Sequence, residues 1–118
     1  MATAAVPLRG LKSRPEFLRT ARGRSVAMPG FVLQARPGEP GKTAGYGITC
    51  SKKVGNAVAR NRAKRRLRAL AKSIMPDHAR PGWAYVLIGR AGRTAGLSFA
   101  QMQQDLRTAL ARVHGPAA

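Results

Sequence analysis

The segment from Ser51 to Arg68 limits most strongly what this chain can fold into. Eight of its residues are Lys or Arg, and no acidic residue occurs between Glu39 and Asp77. After Gly55-Asn56 the spacing of apolar residues predicts a helix from Asn56 to about Ile74, which Pro76 would end. A helix this basic cannot be buried on all sides, so one of its faces must be left for solvent or for a ligand.

The predicted helix separates into two faces at about 100° per residue. One face, an arc of roughly 80°, is apolar and holds Ala59, Ala63, Leu67, Leu70 and Ile74. The adjacent arc of roughly 140° is polar and holds Arg60, Asn61, Lys64, Arg65, Arg68 and Lys72. Like charges at i, i+4 cost about 0.2–0.5 kcal/mol per pair, so we infer that a polyanionic ligand supplies the missing negative charge. The alternatives are a merely solvated basic face and a membrane-surface helix, for which the apolar face is short of large side chains.

The charge of the whole chain favours nucleic acid as the partner. Its 118 residues suggest one domain, and 22 Lys+Arg against 4 Asp+Glu give a net charge of +18. An anionic membrane surface is the second class that such a charge allows. The single cysteine, Cys50, excludes an intrachain disulfide and favours a reducing compartment. We expect a cytoplasmic protein, because no apolar run could span a membrane and the proline-interrupted N-terminus resembles a transit peptide only weakly.

The remaining pattern predicts a mixed α and β domain over residues 13–114, with a flexible basic arm at 1–12 and a tail at 115–118. Ser13 and Glu16 form a capping box that starts a short first helix, and Ser98 with Gln101 starts the last one. Strands are expected at 24–28, 31–36, 44–51 and 83–90. The second and third of these should pair directly as an antiparallel hairpin, and the apolar fourth should lie inside the sheet.

Catalytic chemistry is not expected from this chain. The four acids are scattered, whereas a two-metal site needs several converging carboxylates. His78 and His114 are interpreted as surface residues and Cys50 as a small core residue, and Trp83 and Tyr85 should pack the last strand. We therefore predict no catalytic residue and no metal or cofactor bound by the chain itself.

The basic segment also resembles a known family. Ser51-Lys52-Lys53-Val54-Gly55-Asn56-Ala57-Val58, followed by Arg60-Asn61-Arg62 and Lys64-Arg65-Arg66-Leu67-Arg68, is similar to the signature of the bacterial ribonuclease P protein subunit. The similarity extends over roughly Arg9 to Val113. It implies an α+β fold of order α-β-β-β-α-β-α, a two-layer sandwich resembling ribosomal protein S5 domain 2. It also implies a left-handed β-α-β crossover, which base rates alone would disfavour.

The resemblance implies a role in tRNA maturation. The chain would be a subunit of an endoribonuclease holoenzyme, binding a catalytic RNA and the 5′ leader of precursor tRNA. The RNA, with Mg²⁺, would carry out the hydrolysis. The protein is expected to be monomeric, with no obligate protein partner and no membrane partner.

Two sets of contact residues are implied by the resemblance. The catalytic RNA would be bound by Lys52, Lys53, Asn56, Arg60, Asn61, Arg62, Lys64, Arg65 and Arg68. The precursor leader would lie in a cleft between the first helix and the sheet, lined by Phe17, Val32, Gln34, Thr49, Ser51, Lys53 and Arg90. The family often has further aromatic residues where Ala21 and Gln34 stand, so base stacking should be weaker here. A general RNA-binding protein, such as a ribosomal protein or an RNA chaperone, and a basic membrane-active protein are the rival functions.

Overall fold

The computed structural model describes residues 5–38 and 41–115. Its elements, in chain order, are β1 (Leu8–Gly10), α1 (Arg14–Ala21), β2 (Arg24–Met28), β3 (Phe31–Pro37), β4 (Ala44–Thr49), a 3-10 turn (Lys52–Val54), α2 (Ala57–His78), β5 (Trp83–Gly89), α3 (Arg93–Gly96) and α4 (Phe99–His114). The predicted α+β class and the predicted order of the main elements are confirmed. The structure adds β1 and the one-turn helix α3.

The five strands form one sheet in the order β1-β4-β5-β3-β2. β5 is the central strand, as its apolar run predicts, with β4 parallel to it on one side and β3 antiparallel on the other. The predicted direct pairing of β3 with β4 is therefore wrong. β5 lies between them because its run from Ala84 to Ile88 is apolar on both faces and is best buried in the middle of a sheet. α2 is the crossover between the parallel neighbours β4 and β5, and its handedness stays a prediction.

The two faces of the sheet are covered unequally. α2 and α4 pack on one face and form the core with it. The largest fully buried side chains of this core include Phe31, Leu33, Leu67, Tyr85, Leu87, Leu106 and Leu110. α1 lies on the opposite face, where its Phe17 ring is against Gly47 of β4. We call the face that carries α1 the open face of the sheet.

The N-terminal segment departs from the predicted flexible arm at 1–12. Leu8–Gly10 pairs in parallel with Ala44–Tyr46 of β4, and the Val6 N–H donates to the Pro76 carbonyl at 2.8 Å. This pairing satisfies backbone groups that β4 would otherwise expose at the sheet edge. Residues 1–4 of the predicted arm lie outside the described residues, as do 116–118 of the predicted tail.

The basic helix α2 is longer than predicted, because it continues through Pro76 to His78. Proline in a helix removes one N–H donor but leaves its carbonyl free to accept. Here that carbonyl is used by Val6, and the Ala79 N–H closes the last turn onto Met75 at 2.7 Å. These bonds stabilise the turn that Pro76 was expected to break.

The helix starts agree with the predicted capping residues. The Glu16 N–H donates to the Ser13 hydroxyl, and the Gln101 N–H donates to the Ser98 hydroxyl. The Glu16 carboxylate accepts from the Lys12 N–H, one residue earlier than in a standard capping box. Asn56, predicted as the first residue of α2, is its N-cap and accepts from the Ala59 N–H at 2.9 Å.

Candidate nucleic-acid interface

α2 presents its cations to solvent as the sequence predicts. Ala63, Leu67, Leu70 and Ile74 of the predicted apolar face are buried, together with Ala71 and Met75, while Ala59 is half-buried. On the other side, Asn61, Arg62, Arg65 and Arg68 are exposed, and Arg60 and Lys64 are half-buried. We call this set of six residues the outer face of α2. The core packing of the apolar residues fixes the direction in which the outer face points.

Arg66 differs from its neighbours in the basic segment. Its guanidinium carbon lies 5.8 Å from the centroid of the Phe99 ring in α4, and its Nη2 donates to the Leu97 carbonyl. A cation over an aromatic face and a carbonyl hydrogen bond both hold α2 against the start of α4. This arginine is therefore part of the helix packing and not part of the outer face.

No carboxylate of the described residues neutralises the outer face of α2. Within residues 5–38 and 41–115 the one ion pair joins Arg9 to Glu16, at 3.5 Å, on the other side of the sheet. Asp77 is exposed near the C-terminal end of α2, and Asp105 is buried in α4, where it accepts from the Gln101 side chain at 2.9 Å. The described acids are on three separate helices, so the positive field of α2 is left uncompensated locally.

The open face of the sheet brings the predicted leader residues together. In one row across the strands Val32 lies opposite Ile88, which lies opposite Thr49. In the next row Gln34 lies opposite Val86, which lies opposite Gly47. α1 crosses this face, and we call the space between α1 and these two rows the groove.

Phe17 is the aromatic side chain that α1 places in the groove, and Gly47 makes its position possible. A Cβ atom built on Gly47 would lie 2.5 Å from the Phe17 ring, far inside any real contact. The absence of a side chain at Gly47 therefore lets the ring lie directly on the backbone of β4. Ala21 is exposed and adds no second ring, so the described groove has one aromatic surface on α1.

Lys52, Lys53 and Ser51 connect the groove to α2. All three are exposed, and they follow β4 in the extended residue and the 3-10 turn that precede Asn56. The structure therefore places them at the junction between the two predicted surfaces. This location agrees with Lys53 being predicted as part of both sets.

Arg90 and Arg62 meet across a small pocket of about 140 Å³. Arg90 was predicted to contact the leader, and Arg62 the catalytic RNA, so the pocket is lined by one residue of each predicted set. Arg90 is held there by its Nη1, which donates to the Met28 carbonyl at 2.8 Å. Its N–H donates to the hydroxyl of buried Thr94, which in turn donates to the Gly30 carbonyl at 2.7 Å.

Cys50 is partly buried and packs against the core. Burial raises the pKa of the Cys50 thiol above its ordinary value, and a backbone hydrogen bond from Gly89 with the Lys64 and Arg60 charges offsets this only in part. A neutral, half-buried thiol beside the core is a poor nucleophile. The interpretation of Cys50 as a small packing residue is consistent with this environment.

His114 is not the simple surface residue that was expected. Its Nε2 lies 2.6 Å from the Tyr85 hydroxyl, which accepts from the Arg80 N–H at 2.8 Å. Burial, together with the Arg80 and Arg24 charges, lowers the pKa of His114 to about 4. Burial also raises the pKa of Tyr85 to about 12, so at neutral pH a neutral phenol and a neutral imidazole share this hydrogen bond, and its direction depends on the tautomer of His114. Trp83 packs against His114 with ring centroids 4.4 Å apart, which confirms that Trp83 and Tyr85 serve packing.

The sequence reasoning missed three contributors to the groove. Ile88 is half-buried on the open face, and strand alternation from Arg90 could have placed it there. Gly47 has no sequence signal that announces a ring above it. Thr94, in the one-turn helix α3 after β5, bonds to Arg90 from a site that only the tertiary structure reveals.

The fold and these surfaces define a small, strongly basic α+β domain built to bind RNA. The model of the Ribonuclease P family matches residues 8–114, and the chain therefore belongs to the ribonuclease P protein family. It is 52% identical to the ribonuclease P protein component of Ruegeria pomeroyi over 108 residues, which covers 90% of this chain and 86% of the relative. It is 48% identical to that of Gluconacetobacter diazotrophicus over 101 residues, covering 85% of this chain and 86% of the relative.

Solved structures agree with this membership. The ribonuclease P protein from Thermotoga maritima matches with a TM-score of 0.74 at 25% identity, covering 91% of this chain and 99% of that one. The ribonuclease P protein from Staphylococcus aureus matches with a TM-score of 0.69 at 29% identity, covering 89% and 94%. The predicted role as the protein subunit of ribonuclease P is supported, and the alternative of a general basic RNA-binding protein is not. No helix within residues 5–38 and 41–115 is long and apolar enough to cross a membrane.

Proposed function

We propose that this chain binds the RNA of ribonuclease P through the outer face of α2 and holds the 5′ leader of precursor tRNA in the groove under α1. The observation that carries the proposal is that Arg62, from the predicted contacts with the catalytic RNA, and Arg90, from the predicted leader contacts, line the same pocket. A protein that must contact an RNA enzyme and its substrate together needs two adjoining RNA-binding surfaces. The uncompensated cations of α2 provide the affinity of one, through counterion release.

The groove suits a flexible single strand. It offers one aromatic ring, Phe17, beside half-buried Val32, Gln34 and Thr49, with Lys53 and Arg90 near its end. One stacking platform with nearby cations binds single-stranded RNA with little reading of its sequence. A leader, whose sequence differs from one tRNA precursor to another, is a substrate of this kind.

In this proposal the RNA carries the hydrolysis and holds the Mg²⁺ that it requires, while the chain supplies binding and position. Glu16, Asp77 and Asp105 lie on three different helices, and no group of three or more metal-ligating side chains is found among the described residues. The carboxylates described here thus lack the convergence that a two-metal phosphodiester site requires. We assign the chain to the cytoplasm, as a monomer within the holoenzyme.

The direct test measures cleavage of precursor tRNA by the cognate ribonuclease P RNA at low Mg²⁺, with and without the protein. The protein should raise the cleavage rate at Mg²⁺ concentrations where the RNA alone is nearly inactive. The Arg60→Ala and Lys64→Ala variants should weaken assembly with the RNA. Each should also reduce the slope of log affinity against log salt by about one for each lost phosphate contact.

The exposed Arg107 on α4 provides a charge-matched control, since Arg107→Ala removes the same charge far from α2 in the chain. It should leave the assembly affinity and the salt slope near those of the parent protein. No enhancement of cleavage by the parent protein would contradict the proposed function. An unchanged salt slope in both α2 variants would contradict only the assignment of the outer face.

A further inference from the structure

A second and larger pocket lies beside α1, on the side of the helix that carries Glu16, Arg19 and Thr20. It has a volume of about 760 Å³ and is bordered by α1, β1 and the ends of β3, β4 and β5. Its floor is the next row of the open face, in which Arg36 lies opposite Ala84, which lies opposite Gly45. We call it the distal pocket. Gly45 precedes Thr49 by four residues on β4, so the pocket is about 13 Å further along the strands than the start of the groove.

The distal pocket is lined by more positive than negative charge. Arg9, Arg19 and Arg36 border it, and Glu16 is the one carboxylate among the described residues that line it. Both oxygens of Glu16 are already engaged, one with Arg9 at 3.5 Å and the other accepting from the Lys12 N–H at 3.1 Å. Arg19 and Arg36 form no ion pair with any described residue. Within the part of the chain that the structure describes, two guanidiniums of the pocket thus have no carboxylate partner, and their planar forks suit phosphate.

The walls of the distal pocket are backbone and are held in place. The Gly38 N–H donates to the Gly82 carbonyl at 2.8 Å, and the Gly82 N–H donates to the Thr43 carbonyl at 2.8 Å. A Cβ on Gly38 would lie 2.6 Å from the Gly82 carbonyl oxygen, so the close approach of the backbone at Gly38 to the backbone at Gly82 needs glycine. The space between the arginines is thus set by hydrogen-bonded backbone.

The chemistry of the pocket favours phosphate over a stacked base. Trp83 borders it, but the indole ring packs against His114 and Tyr85, which belong to the core side of the sheet. No other aromatic residue is among the described residues that line it. The pocket accordingly has cations and small residues and no ring to hold a base.

We propose that the distal pocket binds phosphate groups of the leader upstream of the part that lies over Phe17. This inference rests on the proposed function, since it extends the path of the leader along the same face of the sheet. It predicts that precursor affinity depends on leader length beyond the groove, through charge and not through sequence. Precursors with long leaders would bind more tightly than those whose leader ends in the groove.

The test compares the holoenzyme affinity for two precursors that differ only in leader length, one ending within the groove and one reaching the pocket. Ala84→Glu places a carboxylate on the pocket floor, and Ala84→Gln adds nearly the same volume without charge. Ala84→Glu should weaken binding of the long-leader precursor by about tenfold and flatten its salt slope by about one. Ala84→Gln should lose clearly less affinity for the long-leader precursor. The short-leader precursor should bind Ala84→Glu almost as it binds the parent.

Other outcomes overturn the inference. Equal losses for both leader lengths, or no loss, would show that the pocket does not hold the distal leader. Inorganic phosphate added to the free protein tests a second source of the same ligand. If phosphate raises the melting temperature in the parent but not in Ala84→Glu, while leader length has no effect, the pocket binds free anions only. Should Ala84→Glu fail to fold, Arg36→Gln tests the same charge by the same measurements.

The two proposals fail separately. If the parent holoenzyme binds precursor and mature tRNA equally at every leader length, the proposed function is wrong. If it prefers precursor but gains nothing from the longer leader, only the distal pocket is excluded. The Arg107→Gln variant, on the other side of the sheet, should behave as the parent in both comparisons.

Discussion

Phe17 of α1 lies on the bare backbone of Gly47, at a distance where a methyl group on Gly47 would be 2.5 Å from the ring. The platform of the groove therefore depends on a residue that contributes no side chain. Because the ring has no room to move closer to the sheet, any side chain at Gly47 must push it outward. A substitution at Gly47 can therefore displace the Phe17 ring without removing it, whereas a substitution of Phe17 removes the ring itself.

The first prediction concerns that position. Gly47→Ala should weaken precursor binding by the holoenzyme about as much as Phe17→Ala, because either change removes the ring from its place; loss of one stacked base costs about 1–3 kcal/mol. Mature tRNA, which has no leader, should bind both variants as it binds the parent protein. Equilibrium binding with precursor and mature tRNA measures the difference. Gly10→Ala is the control, because nothing lies within 4 Å of a Cβ there.

Equal weakening for precursor and mature tRNA would place Phe17 in the structural core and not in leader binding. A melting curve for each variant shows whether the fold is intact. A Gly47→Ala protein that melts normally and yet binds precursor at full strength would contradict the platform role.

The second prediction uses the adjacent pair Arg65 and Arg66, which carry the same charge in opposite roles. Arg65→Ala should lower the salt slope of RNA binding by about one and leave stability within about 0.5 kcal/mol. Arg66→Ala should cost about 1–3 kcal/mol of unfolding free energy, because it removes the cation over Phe99 and the hydrogen bond to the Leu97 carbonyl. Denaturant unfolding and salt-dependent RNA binding should therefore give opposite results for these neighbours. If Arg66→Ala instead lowered the salt slope and left the unfolding free energy unchanged, Arg66 would be an RNA contact and not a packing residue.

The third prediction concerns the buried hydroxyl that positions Arg90. Thr94→Val keeps the shape but leaves the Arg90 N–H and the Gly30 carbonyl without their partner. The expected cost is about 1–3 kcal/mol of stability, with weaker precursor binding because Arg90 is less well fixed. Thr94→Ser retains the hydroxyl and should keep most of the stability and most of the precursor affinity. Full precursor affinity in Thr94→Val would show that Arg90 needs no such support.

The fourth prediction is a pH dependence of stability from His114. Its folded pKa of about 4 is below the ordinary 6.5, so between these values the unfolded chain holds a proton that the folded chain excludes. Stability is therefore fully present above about pH 6.5 and is lost as the pH falls toward 4. The expected loss is about 1–2 kcal/mol, after allowance for the partial exposure of the ring.

Chemical denaturation at several pH values between 7 and 4.5 measures this loss. His114→Gln should be less stable than the parent at neutral pH and should vary less across the range. With 4 acidic residues in the chain, carboxylate titration contributes little background above pH 5. An identical pH profile in the variant would show that His114 is not the group responsible.

The sequence was most informative where a local rule decides the structure. The apolar and basic faces of α2 follow from helical spacing, and the capping roles of Ser13 and Ser98 follow from short-range hydrogen bonding. The family signature then located the predicted RNA contacts on that helix. Contact assignments to individual residues remain predictions, although the structure places them on two adjoining surfaces.

What the sequence could not provide depends on long-range contacts. Arg65 and Arg66 are equivalent in a one-dimensional pattern, and only the packing of α4 separates them. The local sequence pattern is the same whether β3 pairs directly with β4 or β5 lies between them, as the structure shows. Pro76 lies in the last turn of α2, where the N–H of the distant Val6 donates to its carbonyl. The three-residue β1 is too short to carry a strand pattern.

The connection between β4 and α2 is short and partly helical. β4 ends at Thr49, α2 begins at Ala57, and the 3-10 turn of Lys52–Val54 occupies the middle of the link. The basic helix and the sheet that forms the floor of the groove share one hydrophobic core, so their separation is fixed in the folded protein. If the groove and the outer face of α2 both bind RNA as proposed, the protein sets a fixed distance between the two bound RNA segments. The distance from the RNA enzyme to the first gripped leader nucleotide would then be the same for every precursor, whatever its leader sequence.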